Sequence, residues 1–203
     1  MASYSWERRA LAALYNGDAE ATVALARRSG EYNGVSLRVL GLAARREAQG
    51  HALGGDKDAY QRALDRSREL LAHGPTPYPN GASWGPNTIP DSSMVIEASS
   101  LVDLGRFREA AELFDAESCR YVQPVPPRTR ARFAVKQSMA LLGSGDIDRA
   151  CYVLDSVLPS IVRVDSATIR SDMRRLLNGF NRRRSHPRAA SALPNIHNIL
   201  RPR

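Results

Sequence analysis

Five stretches of this chain hold residues whose types and spacing could do chemistry. Gly81-Ala82-Ser83-Trp84-Gly85 matches G-x-S-x-G, the turn that presents a serine nucleophile. That chemistry needs a strand before the serine and a helix after it. Here a Pro-rich stretch precedes and Pro86 follows, so Ser83 reads as a loop serine. His51, His73, His186 and His197 show no metal-ligand spacing among themselves or with Cys119 and Cys151, and a structural zinc site needs four clustered ligands. Gly143-Ser144-Gly145-Asp146 is glycine-rich but lacks the lysine and the spacing of a phosphate loop. Asp91, Glu97, Asp103, Glu109 and Glu112 could place two carboxylates together for acid–base work. Arg106 and Arg108 offer them ordinary intrahelical ion pairs instead. Last, Arg170, Arg174, Arg182, Arg183 and Arg184 form a basic patch that could touch phosphate. Ile169, Met173, Leu176, Leu177 and Phe180 lie among them in helical period, so the segment also reads as a capping helix with an arginine-rich outer face. The expectation is a protein that is not an enzyme and uses no cofactor and no metal.

The elements that carry these residues are organised around Ala131 to Pro159. Two amphipathic helices, 128–144 and 147–160, meet there at the turn Ser144-Gly145-Asp146. Gly145 can leave the first helix through a left-handed conformation. Asp146 can cap the second. Similar turns stand at Asn16-Gly17-Asp18, Gly55-Asp56 and Gly105-Arg106. Gly17, Gly55, Gly105 and Gly145 are separated by 38, 50 and 40 residues, and each has a small residue seven positions upstream: Ala10, Ala48, Ala98 and Ser138. A small side chain there lets the two helices of a hairpin approach closely. One hairpin cannot bury its own apolar face, so the units must stack.

The predicted hairpins are 4–16 with 18–29, 35–53 with 57–72, 91–104 with 107–117, and 128–144 with 147–160. A ninth helix runs from a Ser166 cap to about Arg183, and a tenth from His186-Pro187 to about Leu200. Gly41 and Gly50 each weaken their helix by ~1 kcal/mol relative to alanine, unless they permit close packing. Residues 73–90 form a long Pro/Gly-rich loop in which Tyr78 and Trp84 are expected to pack back onto the helices. Gln123 to Pro127 is a proline-rich link.

Small residue, Gly-Asp or Gly-Arg turn, then alanine and a bulky residue (Ala110 and Phe114; Ala150 and Leu154) resembles the tetratricopeptide repeat. The resemblance implies an all-α fold: a right-handed superhelix of about five helical hairpins, one tetratricopeptide-like α-solenoid over 1–203, with basic capping helices at 165–203. It also implies a groove lined by the first helix of each hairpin. On the repeat register the outward groove positions are Tyr4, Glu7, Leu11, Arg45, Gln49, Ser92, Val95, Ser99, Asp103, Arg132, Val135 and Met139. The segments His51 to Leu71 and Ser166 to Arg201 further resemble the repeats and the ending of sensor domains in actinobacterial helix-turn-helix transcriptional regulators. That implies binding of a peptide, protein or small ligand, coupled to a helix-turn-helix DNA-binding partner or a missing N-terminal domain, since nothing before Trp6 could hold one. A standalone scaffold that binds a partner protein, and nucleic-acid binding through the Arg-rich C-terminal helix, are the alternatives.

Composition fits this reading. The 43 % apolar content is ordinary for a globular protein. No run of eighteen apolar residues points to a membrane span, and Met1 to Glu7 has no secretory h-region. Two cysteines make no disulfide framework, and Cys151 falls on an apolar stripe, so a reducing cytoplasm is expected. The net charge of +8 is uneven: residues 1–164 hold 20 basic and 19 acidic side chains, residues 165–203 nine arginines against two aspartates. Leu193, Ile196 and Ile199 would suit either a homodimer contact or packing on the preceding helix.

Overall fold

The computed structural model of the chain describes residues 2–73, 93–118 and 126–201. Among them are eleven helices and no strand. They are α1 (Ala2–Tyr15), α2 (Ala19–Arg28), α3 (Leu37–Leu53), α4 (Lys57–Ala72), α5 (Ser93–Asp103), α6 (Phe107–Ser118), α7 (Pro127–Ser144), α8 (Ile147–Asp155), α9 (Leu158–Val164), α10 (Ala167–Asn181) and α11 (Pro187–Leu200). The all-α expectation is met. The loop at 74–90, with Tyr78, Ser83 and Trp84, falls outside the described residues, as do Asp91, Ser92 and Cys119.

The hairpin turns follow from local chemistry. Gly17, Gly55, Gly105 and Gly145 all have φ between 73° and 96°, where a Cβ is disfavoured. Asp18, Asp56 and Asp146 each accept the N–H of the residue three positions on, at 2.9, 2.9 and 3.3 Å, and so cap α2, α4 and α8. The small residues upstream are all sealed: Ala10, Ala98 and Ser138 are fully buried and Ala48 nearly so. Ser138 Oγ donates to the Ala150 carbonyl at 2.9 Å, tying α7 to α8.

The chain divides into two compact units, residues 1–87 and 88–203. In the first, α1 pairs with α2 and α3 with α4, and α3 also packs on α1 and α2. Its core is made largely of alanines, among them Ala26, Ala43, Ala44, Ala52 and Ala63. Gly41 and Gly50 serve close packing. A Cβ on Gly41 would come 2.7 Å from Leu71 Cγ, and one on Gly50 2.8 Å from Val23 Cγ2. Ser67 Oγ donates to the Gly41 carbonyl at 2.8 Å across the same contact. Trp6 lies between the guanidinium groups of Arg9 and Arg28, each 4.3 Å from its ring centroid, and its indole N–H donates to Tyr32 Oη at 2.7 Å.

In the second unit α7 is central, touching α5, α6, α8, α9 and α10. Here the core is built from large side chains: Phe114, Leu141, Leu154, Ile169, Met173, Leu176, Phe180 and Ile196. Ile196 is fully buried and Leu193 and Ile199 pack against the same core, so all three serve their own unit. Cys151 is buried, and burial pushes its thiol up from the ordinary range.

Two predicted elements need correction. The helix expected over 147–160 is two helices, α8 and α9. Pro159 has no N–H, and its ring would clash with the carbonyl four residues back, on Asp155, where α8 ends. Ser166 does stand at the N-cap of α10, but its hydroxyl makes no capping bond and has no partner among the described residues.

Gly143 tests the packing around α7. A Cβ there would overlap the Phe107 ring at the start of α6. Alanine gains ~1 kcal/mol of helix propensity, while overpacking costs about 1–3 kcal/mol. Gly143→Ala is therefore expected to lower stability by about 1 kcal/mol in a urea titration, and Gly143→Val by more.

Candidate functional site

The first helices of the hairpins carry the expected groove positions, apart from Ser92, which lies outside the described residues. In the first unit these helices are α1 and α3. Tyr4 and Arg45 are half-buried, and Glu7, Leu11 and Gln49 are buried. Glu7 and Gln49 are drawn together by a residue the repeat register did not single out. Arg46 Nε donates to Glu7 Oε1 at 2.8 Å, and Arg46 Nη1 to Gln49 Oε1 at 2.6 Å. Next to Arg46 on the chain, buried Glu47 accepts from Arg27 Nε at 3.0 Å and from Arg66 Nη2, with His51 Nε2 3.7 Å away. Glu47 thus ties α2, α3 and α4.

In the second unit the first helices are α5, α7 and α10. Val95 and Val135 are 2 % and 0 % exposed. They belong to the core of their unit and do not face outward. Ser99 Oγ donates to the Val95 carbonyl at 2.8 Å within its own helix. Arg132 and Met139 are half-buried. Asp103 is the pivot of a charge network that the register reached only in part. Lys136 Nζ stands 3.2 Å from Asp103 Oδ1 and 3.4 Å from Asp172 Oδ1. Arg175 Nη1 reaches Asp103 Oδ1 at 2.7 Å. Lys136 itself is only 6 % exposed. Two cations and two carboxylates therefore balance where α5, α7 and α10 meet. Signals for Lys136 and Asp172 existed: each is a charged residue among apolar helix positions.

The other chemical stretches resolve as follows. Arg106 Nε donates to Glu109 Oε1 at 2.7 Å, and this hydrogen bond holds the Glu109 carboxyl below the usual range. Glu112 is exposed. Gly143 to Asp146 is a helix end and turn. Among the described residues no three His, Cys, Asp or Glu side chains cluster as metal ligands: His73 Nδ1 and His197 Nδ1 face carbonyls of their own helices at 2.8 Å, and His186 is the N-cap of α11. Arg170 leaves the expected basic patch, since it donates to Asp165 Oδ1 at 2.7 Å and to the Ile199 carbonyl at 2.8 Å. It forms one wall of a small cleft of about 200 Å³ with Val162, Asp165, Ser166 and Arg201. Arg174, Arg182, Arg183 and Arg184 are exposed.

Lys136 is the most revealing residue to change. Lys136→Met leaves Asp172 buried without its cation and is expected to cost about 3–5 kcal/mol in chemical denaturation. Adding Asp172→Leu to that variant is expected to restore part of the loss, because a neutral apolar pair of similar volume replaces an uncompensated charge.

Comparison with models of protein families, with curated proteins and with solved structures gives no match to this chain.

Proposed function

We propose that this chain is a non-enzymatic, tetratricopeptide-like interaction module that binds a peptide or protein segment along the first helices of its hairpins. The observation that carries the reading is the recurrence of one arrangement in both units. Charged groups bridge neighbouring first helices, as Glu7–Arg46–Gln49 between α1 and α3, and as Asp103–Lys136–Asp172 across α5, α7 and α10. These bridges fix the spacing of the first helices. Half-buried Tyr4, Arg45, Ser99, Arg132 and Met139 lie on the same helices, offering an extended ligand both hydrogen-bonding and apolar contacts.

In this reading the five hairpins stack into a right-handed superhelix, and the first helices line its inner surface. The module acts as the sensing part of a bacterial transcriptional regulator of the actinobacterial type. Ligand binding favours one arrangement of the hairpins, and a helix-turn-helix DNA-binding partner responds to that shift.

Selection of peptides from a random display library against the full chain tests the proposal. Selected peptides are expected to lose roughly tenfold or more in affinity for an Arg132→Ala/Met139→Ala variant, equivalent to about 1.4 kcal/mol or more. They are expected to bind an Arg62→Ala variant, altered on the exposed side of α4, as they bind the parent. Peptides indifferent to the first pair, or no selected peptides at all, would remove the proposal.

A further inference from the structure

Beyond any ligand of the first-helix face, we propose that the turn between α10 and α11 is a docking surface for the phosphate backbone of duplex nucleic acid. Residues 181–185 read Asn-Arg-Arg-Arg-Ser, and all five are exposed. Arg182, Arg183 and Arg184 make no side-chain ion pair or hydrogen bond among the described residues, unlike Arg170 and Arg175, whose guanidinium groups are consumed inside their unit. Arg174, on the preceding part of α10, is likewise exposed and has no ion pair among the described residues. Among the described residues no carboxylate pairs with Arg182, Arg183 or Arg184; Asp148, on the neighbouring α8, faces Arg188 at 4.0 Å.

The same turn delivers the N-terminus of α11. His186 is its N-cap and makes no side-chain capping bond, and Nδ1 of this half-buried ring has no partner among the described residues. Pro187 contributes no N–H and Ala189 is fully buried, so the exposed amide of the first turn is that of Arg188. An arginine cluster beside the positive end of a helix is suited to phosphate oxygens.

The class of polyanion follows from what the turn holds besides charge. Its apolar neighbours Phe180 and Ala189 are fully buried, so it has nothing to insert into a lipid surface. Residues 181–185 hold no Phe, Tyr or Trp on which an unpaired base could stack, and the one ring beside them, His186, is half-buried. A duplex presents dense, regular phosphate charge and demands neither. The contact reads backbone charge and not base sequence.

The test is fluorescence anisotropy of the full chain with a labelled duplex DNA of random sequence. Three neutralised phosphates predict binding that weakens about 40-fold between about 50 and 200 mM salt. The Arg182→Gln/Arg183→Gln/Arg184→Gln variant is expected to bind roughly tenfold or more weakly at low salt, with most of the salt dependence gone and an unchanged circular-dichroism spectrum. Arg8→Gln/Arg38→Gln/Arg62→Gln removes the same charge from exposed positions in the first unit and is expected to bind as the parent does. No binding at low salt, equal loss in the two variants, or binding to phosphatidylserine vesicles in preference to the duplex would overturn the proposal.

Discussion

Four small side chains set the distance between helices on which everything else in this molecule rests. Ala10, Ala48, Ala98 and Ser138 are buried, Ser138 against the facing helix of its hairpin, and a longer side chain at any of them would force its packed neighbours apart. The first unit extends the constraint through an alanine core and through Gly41 and Gly50, whose faces touch leucine, valine and threonine side chains directly. The second unit keeps the close contact at Ala98 and Ser138 but fills the space between hairpins with leucine, isoleucine, methionine and phenylalanine. One turn chemistry therefore supports two kinds of interior.

What can be read from a one-dimensional chain here is what is decided within about four residues. The left-handed glycines, the aspartate caps and the small residue seven positions before each turn are local, and each stands where its spacing placed it. The split of α8 from α9 was also locally encoded, in the clash between Pro159 and the Asp155 carbonyl, but the apolar stripe running through Leu154, Val157 and Leu158 concealed it. The candidate site was legible only in part. The register put Glu7, Gln49 and Asp103 on first helices. It could not find Arg46 or Lys136, whose carboxylate partners lie 39 and 33 residues away on other helices. A repeat register turns Val95 and Val135 outward because it fixes an angle around a helix and says nothing about what covers it.

The buried charges act differently from the apolar core. Burial of leucine and phenylalanine is nearly indifferent to small rotations of a helix. A lysine between two carboxylates is not, because a shifted helix leaves an ion without its counter-charge. Glu47 holds α2, α3 and α4 in one register in the same way. The hydrophobic interior supplies the drive to pack, and these few ions select which packing.

The Lys136 network also sets an order of events during synthesis. Asp103 leaves the ribosome before Lys136, so the first bridge, α5 to α7, can close as soon as α7 is made. Asp172 follows Lys136 by 36 residues, which at cellular elongation rates is roughly two to seven seconds. During that interval the nascent chain holds Lys136 with one carboxylate and an open flank on α7. The flank shuts only when α10 arrives with both the second carboxylate and the apolar face of Ile169, Met173, Leu176 and Phe180. The second unit is thereby completed from its C-terminal end, and a chain stalled before residue 172 exposes both the apolar face of α7 and a lysine waiting for its counter-ion.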